Sequence, residues 1–163
     1  MTLQNNTARG IGIVEAIVAI SVASIAFASL LIAGAYFIRG GLHAADQAQA
    51  LFLLDESVEA VRFLRDESYA TNIAPRIGSG QFYLAASNNR WSATTTSHLV
   101  HGKYTRSITL EAVHRRVSDD DIIPSTSGEA KYVDPGTALL TVRVAWGGGA
   151  VESATYVTDL HEN

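Results

Sequence analysis

The stretch ARGIGIVEAIVAISVASIAFASLLIAGAYFIRG, residues 8–40, decides how this chain begins to fold. Its apolar run, Ile11–Ile38, contains one charged residue, Glu15, and the next charge is Arg39. The run is longer than the about 20 residues that a helix needs to cross a hydrocarbon layer of about 30 Å. A carboxylate inside such a layer costs roughly 2.5–3.5 kcal/mol, so an acid at that depth indicates a function. We therefore expect a membrane-spanning helix with one functional acid.

Four features stand in a fixed order at this end of the chain: a polar segment that ends in Gly10, a hydrophobic residue at Ile11, Glu15 five residues after the glycine, and a long uncharged helix. This arrangement resembles the class III signal of type IV pilins and pseudopilins. The resemblance implies that a prepilin peptidase cuts between Gly10 and Ile11 and that the new N-terminus at Ile11 is N-methylated. A side chain at Gly10 would obstruct close approach to the peptidase, whereas the simpler interpretation is a flexible residue before a helix.

The resemblance also implies the partners and the location of the protein. The partners are other pilin subunits in a homopolymer or heteropolymer, the prepilin peptidase and the pilus assembly machinery. Before assembly the chain crosses the cytoplasmic membrane once, and afterwards it belongs to an extracellular pilus or pilus-like filament, as a major pilin, a minor pilin or a pseudopilin.

Glu15 has two interpretations. In the family that the chain resembles, the equivalent glutamate pairs with the N-terminal amine of a neighbouring subunit, and cleavage would create that amine at Ile11. A buried carboxylate needs such a partner. The alternative is local, because an acid near the start of a helix is stabilised by unpaired amide groups and by the helix dipole.

The rest of the chain divides by pattern. We expect a leader at 1–10, a membrane or filament-core helix at 11–38, an amphipathic continuation of that helix at 39–69, and a β-rich globular head at 70–163. The continuation is predicted from one apolar stripe at helical spacing: Leu51, Leu54, Val58, Val61 and Leu64. Gly40 and Gly41 weaken a helix by roughly 1 kcal/mol each, so a bend is expected there.

In the head, alternating residues predict antiparallel strands near 81–86, 104–111, 140–146 and 151–160. Residues 87–101 are expected to be irregular, and Arg106 interrupts the apolar set of its strand. Gly147-Gly148-Gly149 predicts a tight reversal. The predicted fold is α+β: a long N-terminal helix packed on a C-terminal antiparallel sheet of three to five strands.

Candidate ligand sites in the head are weak. Four acids, Asp119, Asp120, Asp121 and Asp134, offer oxygen ligands that calcium prefers, but their spacing does not match a calcium loop, and a solvated acidic turn is favoured. His98, His101 and His114 have no spacing that demands a metal. No metal or cofactor is predicted. Trp91 lies in a polar stretch, and partial burial is favoured over exposure for adhesion.

Composition narrows the functional class. The chain of 163 residues has a formal net charge of −4, and its few lysines and arginines are dispersed, so no nucleic-acid surface is predicted. The absence of cysteine excludes a disulfide and a cysteine-ligated metal. No nucleophile or phosphate-binding motif is present, so an enzyme is not expected. The alternative function is a signal-anchored surface protein whose β head binds a ligand without polymerising.

Overall fold

The computed structural model describes residues 8–88 and 90–160, with side chains described from Gly12 onward. The chain divides into two units, Met1–Ala45 and Asp46–Asn163. The helix α1, Ala8–Glu67, is 60 residues long and belongs to both units. It stays helical through Gly40 and Gly41, so the two glycines do not interrupt the helix. Two glycines reduce helix propensity, but the long helix-forming segments on both sides of them outweigh that cost.

The second unit contains the C-terminal part of α1 and all of the strands. After α1 come the short helix α2, Tyr69–Asn72, and a 3₁₀ turn, Ala74–Arg76. Ser68 separates α1 from α2, because its extended backbone breaks the helix and its hydroxyl accepts a hydrogen bond from Thr71 N–H.

Seven strands follow, in two antiparallel sheets. They are β1 Tyr83–Ser87, β2 Arg90–Thr94, β3 Leu99–Val100, β4 Tyr104–Arg116, β5 Ile122–Ile123, β6 Lys131–Trp146 and β7 Gly149–Thr158. A two-stranded sheet pairs β1 with β2, and a five-stranded sheet has the order β3-β4-β6-β7, with β5 also on β4. The strands β6 and β7 form a tight hairpin that pairs Trp146 with Gly149, which confirms the reversal expected at the three glycines. The α+β class is confirmed.

One face of the second-unit helix packs on the larger sheet. The buried helix residues are Ala50, Leu53, Leu54, Ser57, Ala60, Val61 and Leu64. They meet β4, β6 and β7 through Ile108, Leu110, Leu140, Val142, Val144 and Val157, all nearly inaccessible to solvent. The predicted stripe was partly wrong, because Leu51 is 47% exposed and Val58 only half-buried. The small residues Ala50, Ser57 and Ala60 occupy the contact instead, since they let the helix approach the sheet closely.

Candidate functional site

The first unit presents its apolar side chains to its surroundings. Every described side chain from Gly12 to Gly41 is exposed, and the large ones include Ile17, Val22, Phe27, Leu31 and Phe37. Among the described residues, α1 is the one helix long and apolar enough to cross a membrane, judged by length and composition. A surface of this kind is stable only in contact with lipid or with other apolar surfaces.

Glu15 lies on this surface and is exposed, about one helical turn after Gly12. It is the sole charged residue from Gly12 to Ile38, and no ion pair joins it to another described residue. The backbone of Gly10 and Ile11 lies in the first turns of α1, and the residues before Ala8 are outside the described part of the chain. Among the described residues, the carboxylate of Glu15 is therefore exposed and has no ion-pair partner.

The serine hydroxyl groups of the apolar run are already paired. Ser21, Ser24 and Ser29 each donate to the carbonyl oxygen four residues earlier, at 2.8, 2.7 and 2.9 Å. Such bonds let serine enter an apolar environment at small cost. Because the serines are satisfied within the helix, Glu15 is the polar group of this run with the greatest need for an external partner.

In the head, the acidic turn faces arginines. Asp119 accepts a hydrogen bond from Arg116 at 2.7 Å, and Asp134 accepts one from Arg115 at 2.5 Å. Hydrogen bonding by Arg116 lowers the pKa of Asp119. Among the described residues, no three His, Asp or Glu side chains are grouped in a way that could hold a metal ion. The two arginines supply the positive charge that these carboxylates need.

The three histidines considered as metal ligands, His98, His101 and His114, lie in different surroundings. His101 is in the turn between β3 and β4, where its Nδ1 is 3.0 Å from the side-chain amide nitrogen of Gln49 on α1. His98 is exposed in the segment before β3. His114 is half-buried on β4 and lines a groove of about 310 Å³ beside β5.

Sequence reasoning missed the role of Arg106. Its side chain interrupts the apolar inward set of β4, as expected, but it points inward and is only 5% exposed. It donates to Glu56 of α1 at 2.9 Å, and its guanidinium carbon lies 4.9 Å from the centre of the Trp91 ring. Burial lowers the pKa of Arg106, and the charge of Glu56 opposes that effect. This contact also explains why Trp91 is half-buried against the core, as was favoured from the sequence.

The chain matches no protein-family model, no curated protein and no solved structure.

Proposed function

We propose that the protein is a structural subunit of a type IV pilus or pilus-like filament. A prepilin peptidase cleaves it after Gly10, Ile11 becomes the methylated N-terminus, and subunits assemble through α1. Before assembly the apolar run of α1 lies in the cytoplasmic membrane, and afterwards it forms part of the filament core. The observation that carries the proposal is the exposed apolar run of α1, whose single carboxylate, Glu15, stands five residues after Gly10.

Two physical requirements support this function. The exposed side chains of Gly12–Ile38 need an apolar environment, and lipid and a bundle of identical helices both provide one. The carboxylate of Glu15 needs a cation in that environment. Cleavage before Ile11 produces an ammonium group four residues from Glu15 in the sequence, and a neighbouring processed subunit would supply such a cation, so processing and assembly are chemically linked.

The test is the intact mass of the chain recovered from the cell that makes it. We expect a mature N-terminus at Ile11 with one added methyl group, and we expect the protein in sheared filaments. A chain that keeps its first ten residues and stays in the membrane fraction contradicts the proposal and favours the signal-anchored surface protein. A strain without its prepilin peptidase is the control, since it should retain the unprocessed chain.

A further inference from the structure

The last strand of the larger sheet has an open edge. β7, Gly149–Thr158, pairs with β6 along all ten residues and ends the strand order β3-β4-β6-β7. No described strand lies beyond it. A strand in this position keeps half of its backbone N–H and C=O groups directed away from the sheet.

The direction of these groups follows from one hydrogen bond. Asp159 N–H, in register with the hairpin, donates to Gly136 C=O at 2.8 Å. Backbone groups alternate along an antiparallel strand, so odd-numbered residues of β7 bond to β6 and even-numbered ones point outward. The outward set is Ala150, Glu152, Ala154, Tyr156 and Thr158.

The opposite edge of the same sheet is covered. Along β4, the free side is occupied in turn by β3, by Phe82 paired with Ile108, by Ile77 paired with Leu110, and by β5. Short segments of this kind are a usual protection against unwanted strand pairing. The fold thus closes one edge with four segments and leaves the other open.

β7 carries few of the features that normally protect an open edge. It contains no lysine and no proline, and its register with β6 has no bulge. Its one charge, Glu152, is 3.3 Å from Arg143 of β6. Natural edge strands of this length are usually protected by a lysine, a proline, a bulge or other charges. The one charge of β7 is already paired within the sheet, so its edge is open to pairing with another strand.

The lining of a groove beside this edge indicates which side chains an added strand would need. Its volume is about 370 Å³, and Ser153 and Thr155 of β7 line one side. The other side is lined by α1, through Leu54, Asp55, Val58, Glu59 and Arg62. Glu59 and Arg62 are paired with each other at 2.6 Å. Asp55 is exposed, and no ion pair joins it to another described residue. An added strand would therefore place uncharged side chains over Leu54 and Val58, and a lysine or arginine beside Asp55 would complete the charge balance.

We infer that the edge of β7 is the docking site for an extended β-strand of a neighbouring filament subunit, with uncharged inward residues and a basic residue beside Asp55. The identity of this partner as a filament subunit rests on the proposed function. Main-chain hydrogen bonds to the five outward residues supply the pairing, and the groove selects the side chains. A polar filament needs unlike surfaces in contact, so the strand comes from a different part of the neighbour than β7.

The first experiment compares two lysine substitutions in the full chain. Ala154→Lys places a charge at the centre of the open edge, whereas Thr109→Lys places the same charge on the same outer row of the sheet but on the internal strand β4. We expect Ala154→Lys to reduce incorporation into filaments about tenfold, and Thr109→Lys to leave it near the wild-type level. Cleavage at Gly10 should be normal in both.

The second experiment needs no substitution. Hydrogen exchange of the outward amides of Glu152, Ala154 and Tyr156 is measured for the wild-type chain in detergent and in filaments. We expect these amides to exchange at least tenfold more slowly in filaments. Equal exchange in the two states, or full incorporation of Ala154→Lys, overturns the docking site while leaving the proposed function intact. A wild-type chain absent from filaments overturns both.

A third variant separates the possible occupants. The chain has no cysteine, so Ala154→Cys introduces a unique thiol at the edge. When filaments that contain this variant are oxidised, we expect no disulfide between the new thiols of two subunits. A disulfide-linked dimer would place β7 against β7 of a second copy and overturn the heterologous strand.

Discussion

At the scale of single residues, the proposed assembly depends most on Glu15. We expect Glu15→Ala to leave cleavage after Gly10 unchanged, because the peptidase acts before subunits pair. Incorporation into filaments should fall at least tenfold, which corresponds to about 1.4 kcal/mol of lost pairing. The measurement is the ratio of filament-bound to membrane-bound chain, with N-terminal mass as the check on cleavage. Normal incorporation of Glu15→Ala would contradict the intersubunit role and leave the local helix-start interpretation.

Asp134 gives a second residue-scale prediction, on pH. Burial raises the pKa of its carboxyl group, but hydrogen bonds from Arg115, Thr137 and the Gly136 N–H outweigh burial, so its pKa lies below the ordinary value. A depressed folded pKa stabilises the head fully above the unfolded value of about 3.9, and that stability is lost as pH falls through the folded pKa. The free energy of unfolding should therefore decrease below about pH 4.

The contribution of Asp134 can be isolated by substitution. We expect Asp134→Asn to be less stable than wild type at pH 7 and to lose less stability on acidification. Asp55→Asn is the matched control, since Asp55 is exposed and has no ion pair among the described residues. Urea unfolding from pH 7 to pH 2 measures both. An unchanged pH slope in Asp134→Asn would contradict the proposed stabilisation by Arg115.

At the scale of elements, the turn between β3 and β4 has a backbone requirement. His101 and Gly102 have consecutive positive φ angles of 51° and 66°. A side chain at Gly102 would be strained in this left-handed region by roughly 1–2 kcal/mol, although no atom blocks its Cβ. We expect Gly102→Ala to destabilise the head by that amount in urea unfolding. Gly128→Ala, at a glycine with open space and no such φ, should be near neutral.

The elements also indicate how far sequence reasoning reaches. The long helix, the strand near 104–111 and the hairpin at Gly147-Gly148-Gly149 followed from local patterns, because apolar periodicity and turn glycines act over short distances. The irregular region expected at 87–101 was wrong, since it contains β2 and β3. The partners of Arg106 were missed for a related reason. Its inward orientation depends on Glu56, fifty residues earlier in the chain, and on Trp91, and a local pattern does not contain that contact.

Some features of the candidate sites could also be predicted from the sequence, and others could not. Glu15 and its apolar surroundings can be read directly from the sequence, because they depend on composition and spacing alone. The open edge of β7 cannot, because a strand is an edge only after the order of the whole sheet is known. The pairing of Asp134 with Arg115 likewise requires the register between β4 and β6.

At the scale of the whole molecule, the two units differ in the exposure of their apolar residues. In the first unit they are exposed, and Leu30 is 68% accessible. In the second they form a core, and Leu140 is fully buried. The first unit thus depends on its surroundings for stability, whereas the second depends on its own packing. Both tryptophans belong to the second unit, so their fluorescence reports on the head.

This difference predicts two independent losses. Leu30→Arg should weaken membrane insertion by about 2.5–3.5 kcal/mol and reduce the alkali-resistant membrane fraction, with no change in unfolding monitored by tryptophan fluorescence. Leu140→Ala should leave a cavity and destabilise the head by about 2–5 kcal/mol, with membrane retention unchanged. Both variants are assayed both ways. If Leu30→Arg shifts the unfolding midpoint of the head, or if Leu140→Ala releases the chain from the membrane, the two units share their stability and the exposed run is not a separate membrane or assembly element.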